Sequence, residues 1–284
     1  MIKTILVAAT GDEPDTATLA AALTVARPFA AHLDVLHVRF DPASAALAMS
    51  TDAGTGGLTA GLIERFEQDA AAREAKAHDL FTRFAGENGV PVTGAPQVPG
   101  PSAEWHVEIG DAPRWTATYA LAADLTVAPR SFGEDTTPRS TLEAVLLESG
   151  RPLLIPPATA MPAGFDRVAI AWKPTAQAAR AVALAMPFLS RAKEIVVLVV
   201  TEAEARDEAE RLVKSLAWHG LAARLDRLPP GPDGAAATLL AALRGRADLL
   251  VMGGYGHGRL REWVFGGFTQ QVLSDAPIAV FIAH

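Results

Sequence analysis

Apolar residues gather along this chain in short continuous runs separated by longer segments of helical periodicity. The second half is the clearer case. "VAIAW" (Val168–Trp172) reads as a strand, and residues 174–192 fit a helix with Pro174 tolerated in its first turn. "EIVVLVV" (Glu194–Val200) is apolar without alternation, the pattern of a strand covered on both faces. Residues 202–220 read as a helix with Gly220 as its stop, "AARLDRL" as an edge-like strand, and "GAAATLLAALRGR" as a third helix. "DLLVMG" and "PIAVFIA" complete five strands. Strands alternating with helices in this way predict an α/β fold with a doubly wound parallel sheet.

The first half repeats the order. "KTILVAAT" opens it as "DRVAIAWK" opens the second, and "AADLTVAPR" (Ala122–Arg130) matches "RADLLVMGG" (Arg246–Gly254). Each of these is followed by a helix-like stretch and a last strand, "GRPLLIP" or "DAPIAVFI". The proline- and alanine-rich "PPATAMPAGF" between the halves reads as a linker, which gives domains at 1–157 and 165–284 joined by 158–164. The first half also carries extra material. Residues 41–61 are small, polar and glycine-rich and read as a mobile loop, open to a role as a lid or as a plain surface insertion. Residues 62–86 read as a long charged helix, and 94–105 as a second irregular stretch.

Composition narrows the partners. With 32 acidic and 25 basic residues among 284, the net charge of −7 disfavours nucleic acid and anionic membranes. The absence of cysteine excludes disulfides, thiol catalysis and cysteine-ligated metals, and suits a reducing compartment. The start reads as a strand and not as a signal peptide, and no apolar run is long enough to span a bilayer, so a cytoplasmic protein is expected.

The chemistry gathers in "DLLVMGGYGHGRLREWVFGGFTQQVL", which carries six glycines in two groups directly after a strand. Ligands of doubly wound sheets sit at such strand ends, and bare backbone lets phosphate reach several amides. The dinucleotide fingerprint fails, because it would need glycine at Arg259. The P-loop fails too, because Arg259 and Leu260 stand where lysine and Ser/Thr are required. What fits is Gly253-x2-Gly256-x9-Gly266, starting at a strand end and leading through a helix to a final strand.

That arrangement resembles the universal stress protein (UspA) family, and the resemblance extends over nearly the whole chain as two tandem domains. It implies five-stranded sheets in the order 3-2-1-4-5, paired through the outer edges of their last strands. It implies binding of ATP or another adenine nucleotide, with magnesium as its companion. Carried over by position, Ala171, Trp172 and Lys173 end the first strand of the second half, and Val199 or Val200 ends its second. Met252, Gly253 and Gly256 form the first phosphate turn, and Gly266, Gly267 and Phe268 the second. Gly267 replaces the Ser/Thr of the family, with Thr269 two residues on, and "AWKP" replaces a first-strand end that commonly carries an acidic residue. Trp172 stacks on a base or blocks the pocket; Lys173 meets phosphate or points into solvent. His257 and Arg259 lie on the loop, where an arginine can clamp phosphate, although "RLREW" also reads as an exposed helical turn.

The first half keeps only Gly133 in the corresponding loop and places Glu134 and Asp135 beside it, so it reads as a degenerate, structural domain. No nucleophile elbow, metal cluster or general base is recognisable, and His32 and His37 read as local packing. At most slow ATP hydrolysis is expected. Three readings follow: a nucleotide-binding regulator of a stress response, a scaffold of the same family acting through protein contacts or another ligand, and an enzyme on a similar fold. A homodimer is expected, with an unidentified protein as a further partner.

Overall fold

A computed structural model describes residues 1–42, 60–96, 99–130, 139–157, 161–201, 208–254 and 267–284. Ten strands form one sheet. In chain order the elements of the first half are β1 (Thr4–Ala9), α1 (Pro14–Phe29), β2 (His32–Arg39), α2 (Ala60–Asn88), β3 (Ser102–Ile109), α3 (Ala112–Ala120), β4 (Leu125–Val127), α4 (Arg139–Glu148) and β5 (Leu153–Ile155). The second half follows with β6 (Arg167–Ala171), α5 (Ala176–Leu189), β7 (Glu194–Val200), α6 (Glu208–Trp218), β8 (Ala223–Leu228), α7 (Gly234–Leu243), β9 (Leu249–Gly253), α8 (Gly267–Asp275) and β10 (Ala279–Ala283).

The sheet order is β3-β2-β1-β4-β5-β10-β9-β6-β7-β8. Each half is therefore 3-2-1-4-5 and parallel, as the family resemblance implies. The two expected sheets are one continuous sheet, because β5 and β10 pair antiparallel with Val280 opposite Ile155, Phe281 opposite Leu154 and Ile282 opposite Leu153. Those six residues are fully buried, so what would be two open edges becomes the centre of the molecule.

Continuous apolar strands need cover on both faces, and the helices supply it in two layers. One face packs α1, α2, α5 and α6 around residues such as Val7, Leu33, Ile170 and Val197. The other packs α3, α4, α7 and α8 around Leu6, Leu153, Leu250 and Ile282. Arg130 ties the seam: its guanidinium donates to the carbonyls of Ser274 (2.7 Å), Ala276 (2.9 Å) and Pro156 (3.2 Å).

Three sequence expectations need correction. The first helix of the second half starts at Ala176 and not at Pro174, because Thr175 is its N-cap and accepts from the Ala178 amide. The irregular stretch 94–105 ends early: β3 begins at Ser102 and alternates polar and apolar residues at the sheet edge, where no apolar run marks it. The long helix extends to 60–88. Gly220 does stop its helix, with a φ of +74° just past Trp218. Of the stretch 41–61 expected as a loop, residues 43–59 lie outside the described residues.

Candidate functional site

In the second half, β6 is flanked by β7 on one side and β9 on the other, while the chain leaves β6 towards β7 and returns at β9. The crevice of a doubly wound sheet opens at such a reversal, beyond the C-terminal strand ends. The register places Ala171 opposite Met252 there, joining two predicted positions that are 81 residues apart in the chain. Alternation then divides the others. Ala171, Met252 and Val200 face the layer of α7 and α8, whereas Trp172 packs against the core beneath α5.

Trp172 thus neither stands free as a stacking platform nor sits wholly in the core. Its backbone N–H continues the sheet to Leu198 O at 2.9 Å. Its indole N–H is buried and has no hydrogen-bond partner among the described residues. An unpaired buried donor costs roughly 1–3 kcal/mol, and functional sites are where such a cost is commonly found. Lys173 is exposed, and its carbonyl accepts from the Thr175 amide at 2.7 Å in the turn into α5.

The first glycine pair has a packing reason of its own. A Cβ at Gly253 would lie 2.4 Å from the Ala178 amide nitrogen and 2.7 Å from the Gln177 carbonyl carbon, both in the first turn of α5. A Cβ at Gly254 would meet the Ile282 side chain at 2.9 Å, and the Gly254 amide donates to Ala283 O at 2.8 Å. These two glycines let the N-terminus of α5 and the last strand close on the end of β9.

Gly267 is different. It is exposed at the start of the described part of α8, and a Cβ there would meet nothing among the described residues within 4 Å. Phe268 is also exposed, while Thr269 is buried. Gly256, His257, Arg259 and Gly266 lie outside the described residues, as do Gly133, Glu134 and Asp135. Near this end of the sheet, Arg180 of α5 donates to the His284 carbonyl. Burial, and then the Arg180 charge, hold the His284 imidazole below its ordinary pKa.

The equivalent end of the first half is satisfied internally. The Asp15 carboxylate accepts from the Thr10 amide at 2.9 Å, the Thr10 hydroxyl at 2.9 Å and the Gly11 amide at 2.7 Å. Burial raises its pKa, against the lowering effect of those same hydrogen bonds. Gly11 has a φ of +85°, and a Cβ there would lie 2.6 Å from the Arg73 carbonyl oxygen of α2. His37 is buried as local packing predicts: its Nδ1 lies 2.9 Å from Ala9 O and its ring stacks on Trp105. The Thr10 and Gly11 amides at the end of β1 are thus occupied by Asp15.

No metal cluster is recognisable in the sequence because Glu104 lies 70 residues beyond Asp34. His32, Asp34 and Glu104 can each turn a ligand atom to within 4.8 Å of the others. Pairing of β2 with β3 brings them together. A polar alternation in 102–108 was the one available signal.

Comparison with known proteins fits this geometry. Residues 164–284 match the model of the Universal stress protein family. Among solved structures, a universal stress protein from Archaeoglobus fulgidus DSM 4304 superposes with a TM-score of 0.66 at 16% identity, covering 99% of this chain and 95% of that one. A functionally unknown protein from Pseudomonas aeruginosa PAO1 gives 0.60 at 17%, covering 99% and 92%. The cytoplasmic domain of a prokaryotic cation chloride cotransporter gives 0.53 at 9%, covering 99% and 95%. At these identities the likenesses speak for the fold alone. No curated protein matches the chain. No helix among the described residues is long and apolar enough to cross a membrane. By the match over 164–284 the second half of the chain carries a universal stress protein domain, and the first half repeats its strand order.

Proposed function

We propose that the second half binds an adenine nucleotide, ATP accompanied by magnesium, in the crevice between the ends of β6 and β9, and that the chain acts as a nucleotide-responsive regulator. The observation that carries this reading is the buried indole N–H of Trp172, without a hydrogen-bond partner among the described residues, at the end of β6 where the sheet order reverses beside β9. Gly267 opens the described part of α8, with nothing among the described residues within 4 Å of a Cβ there, and the start of a helix is favourable ground for phosphate. Lys173 stands exposed at the same strand end. The first half contributes scaffold, because Asp15 and Arg73 already satisfy and cover its equivalent turn.

One observation favours a second reading. Gly253 and Gly254 are required by packing, so the glycines alone do not call for a phosphate. On that reading the chain is a scaffold that acts through protein contacts. Calorimetric titration of ATP, with and without magnesium, into the intact protein and into Gly256→Val separates the two. Micromolar binding that is lost in the variant supports the nucleotide site. No heat with the intact protein refutes it in favour of the scaffold.

A further inference from the structure

We propose a divalent transition-metal site of the zinc class on the outer part of the first half, built from His32, Asp34 and Glu104 with His106 beside them. All four side chains lie on one face of β2 and β3. The register pairs His32 with Ser102, Asp34 with Glu104 and Leu36 with His106, so alternation turns these positions to the same side. The ligand atoms of His32, Asp34 and Glu104 fall within 4.8 Å of one another. A tetrahedral ion with bonds near 2.1 Å needs ligand separations of about 3.4 Å, which small side-chain rotations supply.

The surrounding contacts suit coordination. The His32 Nδ1 lies 2.7 Å from Ser102 Oγ, which holds the ring and leaves Nε2 as the metal-facing nitrogen. That Nε2 is 3.5 Å from Asp34 Oδ1. The His106 Nε2 stands 3.3 Å from Asp34 Oδ1 and 3.8 Å from Glu104 Oε2, beside the three, and would become the fourth ligand by a rotation of its ring. Gly94 leaves room for the Glu104 carboxylate, since a Cβ there would come within 2.8 Å of Oε1. The side chains are 23–40% exposed, open enough for an ion to enter and closed enough to hold their geometry. Mixed imidazole and carboxylate ligands favour zinc, cobalt and nickel over calcium or magnesium.

The two parallel strands hold these positions rigidly, which is the precondition for tight binding. The site also lies on the other half of the molecule from the proposed nucleotide crevice, so it stands or falls independently.

The test uses the full chain after chelator treatment and dialysis. Zinc is titrated calorimetrically, and cobalt is added separately so that its visible absorption reports a tetrahedral ligand set. One ion per chain is expected. Its affinity should fall by roughly a hundredfold or more in His32→Gln and in Glu104→Gln, and stay unchanged in His219→Gln, which alters an exposed histidine elsewhere. Circular dichroism of each variant establishes that it is folded, and Glu104, the most exposed member, keeps the test usable if His32→Gln does not fold. No ion retained by the intact chain would overturn the proposal, as would zinc binding that both cluster variants leave intact.

Discussion

Gly253→Ala is the sharpest test of why this chain places glycine at the end of β9. The added methyl carbon would sit 2.4 Å from the Ala178 nitrogen, 2.7 Å from the Gln177 carbonyl carbon and 2.8 Å from the Ala178 Cα. All three are backbone atoms, so no rotamer change relieves the clash. Restoring a contact of about 3.4 Å requires the start of α5 to retreat by about 1 Å from β9. Overpacking of this sort costs about 1–3 kcal/mol when side chains can adjust, and a rigid backbone places the cost at the upper end. The retreat also disturbs the Thr175 cap, a 3.2 Å hydrogen bond to the same Ala178 amide whose loss costs about 1 kcal/mol. We therefore expect a loss of about 3–4 kcal/mol, seen as a fall in melting temperature of roughly 10 °C. Gly267→Ala is the matched control, because its Cβ would meet nothing among the described residues within 4 Å. There alanine should be neutral or stabilise by up to about 1 kcal/mol. Thermal and urea unfolding of both variants decide the matter. A Gly253→Ala protein within about 1 kcal/mol of the parent would refute the packing account and return that glycine to a purely ligand-directed role.

Gly267→Ser should strengthen ATP binding about tenfold by adding a hydroxyl donor at the α8 N-terminus, as calorimetry would read; unchanged affinity would mean that the phosphates do not lie there. Arg130→Ala should lower stability by about 2–4 kcal/mol, because it strands the carbonyls of Ser274 and Ala276 at the seam; a denaturation midpoint equal to the parent's would refute the arginine's structural role. His284 has its pKa held below 6.5 in the folded chain, so the unfolded chain binds the proton more readily and stability drops as pH falls from 6.5 towards the lowered value. His284→Gln should flatten that part of the pH–stability curve, and an identical slope in the variant would contradict the assignment.

The sequence by itself determined the layered alternation of strand and helix. Continuous apolar runs such as Ile195–Val200 have to be covered on both faces, and that requirement is local. It determined the duplication as well, because each half must bury its own helices. Gly253 and Gly254 were legible as necessary glycines, but their reason was not. Only the folded chain brings the first turn of α5 to within clashing distance of one and Ile282 to the other. Strand β3 escaped notice because an edge strand buries little, and its alternation of Ser102, Glu104, His106 and Glu108 with apolar residues looks like loop until β2 pairs with it. The same pairing decided the cluster of His32, Asp34 and Glu104, since Glu104 lies 70 residues beyond Asp34 and meets the other two only through interstrand register. The closure of β5 on β10 was likewise tertiary. Two short apolar strands each leave an unpaired backbone edge, and hydrogen bonding between those edges, with burial of Leu154 and Phe281, fuses two repeated halves into one sheet.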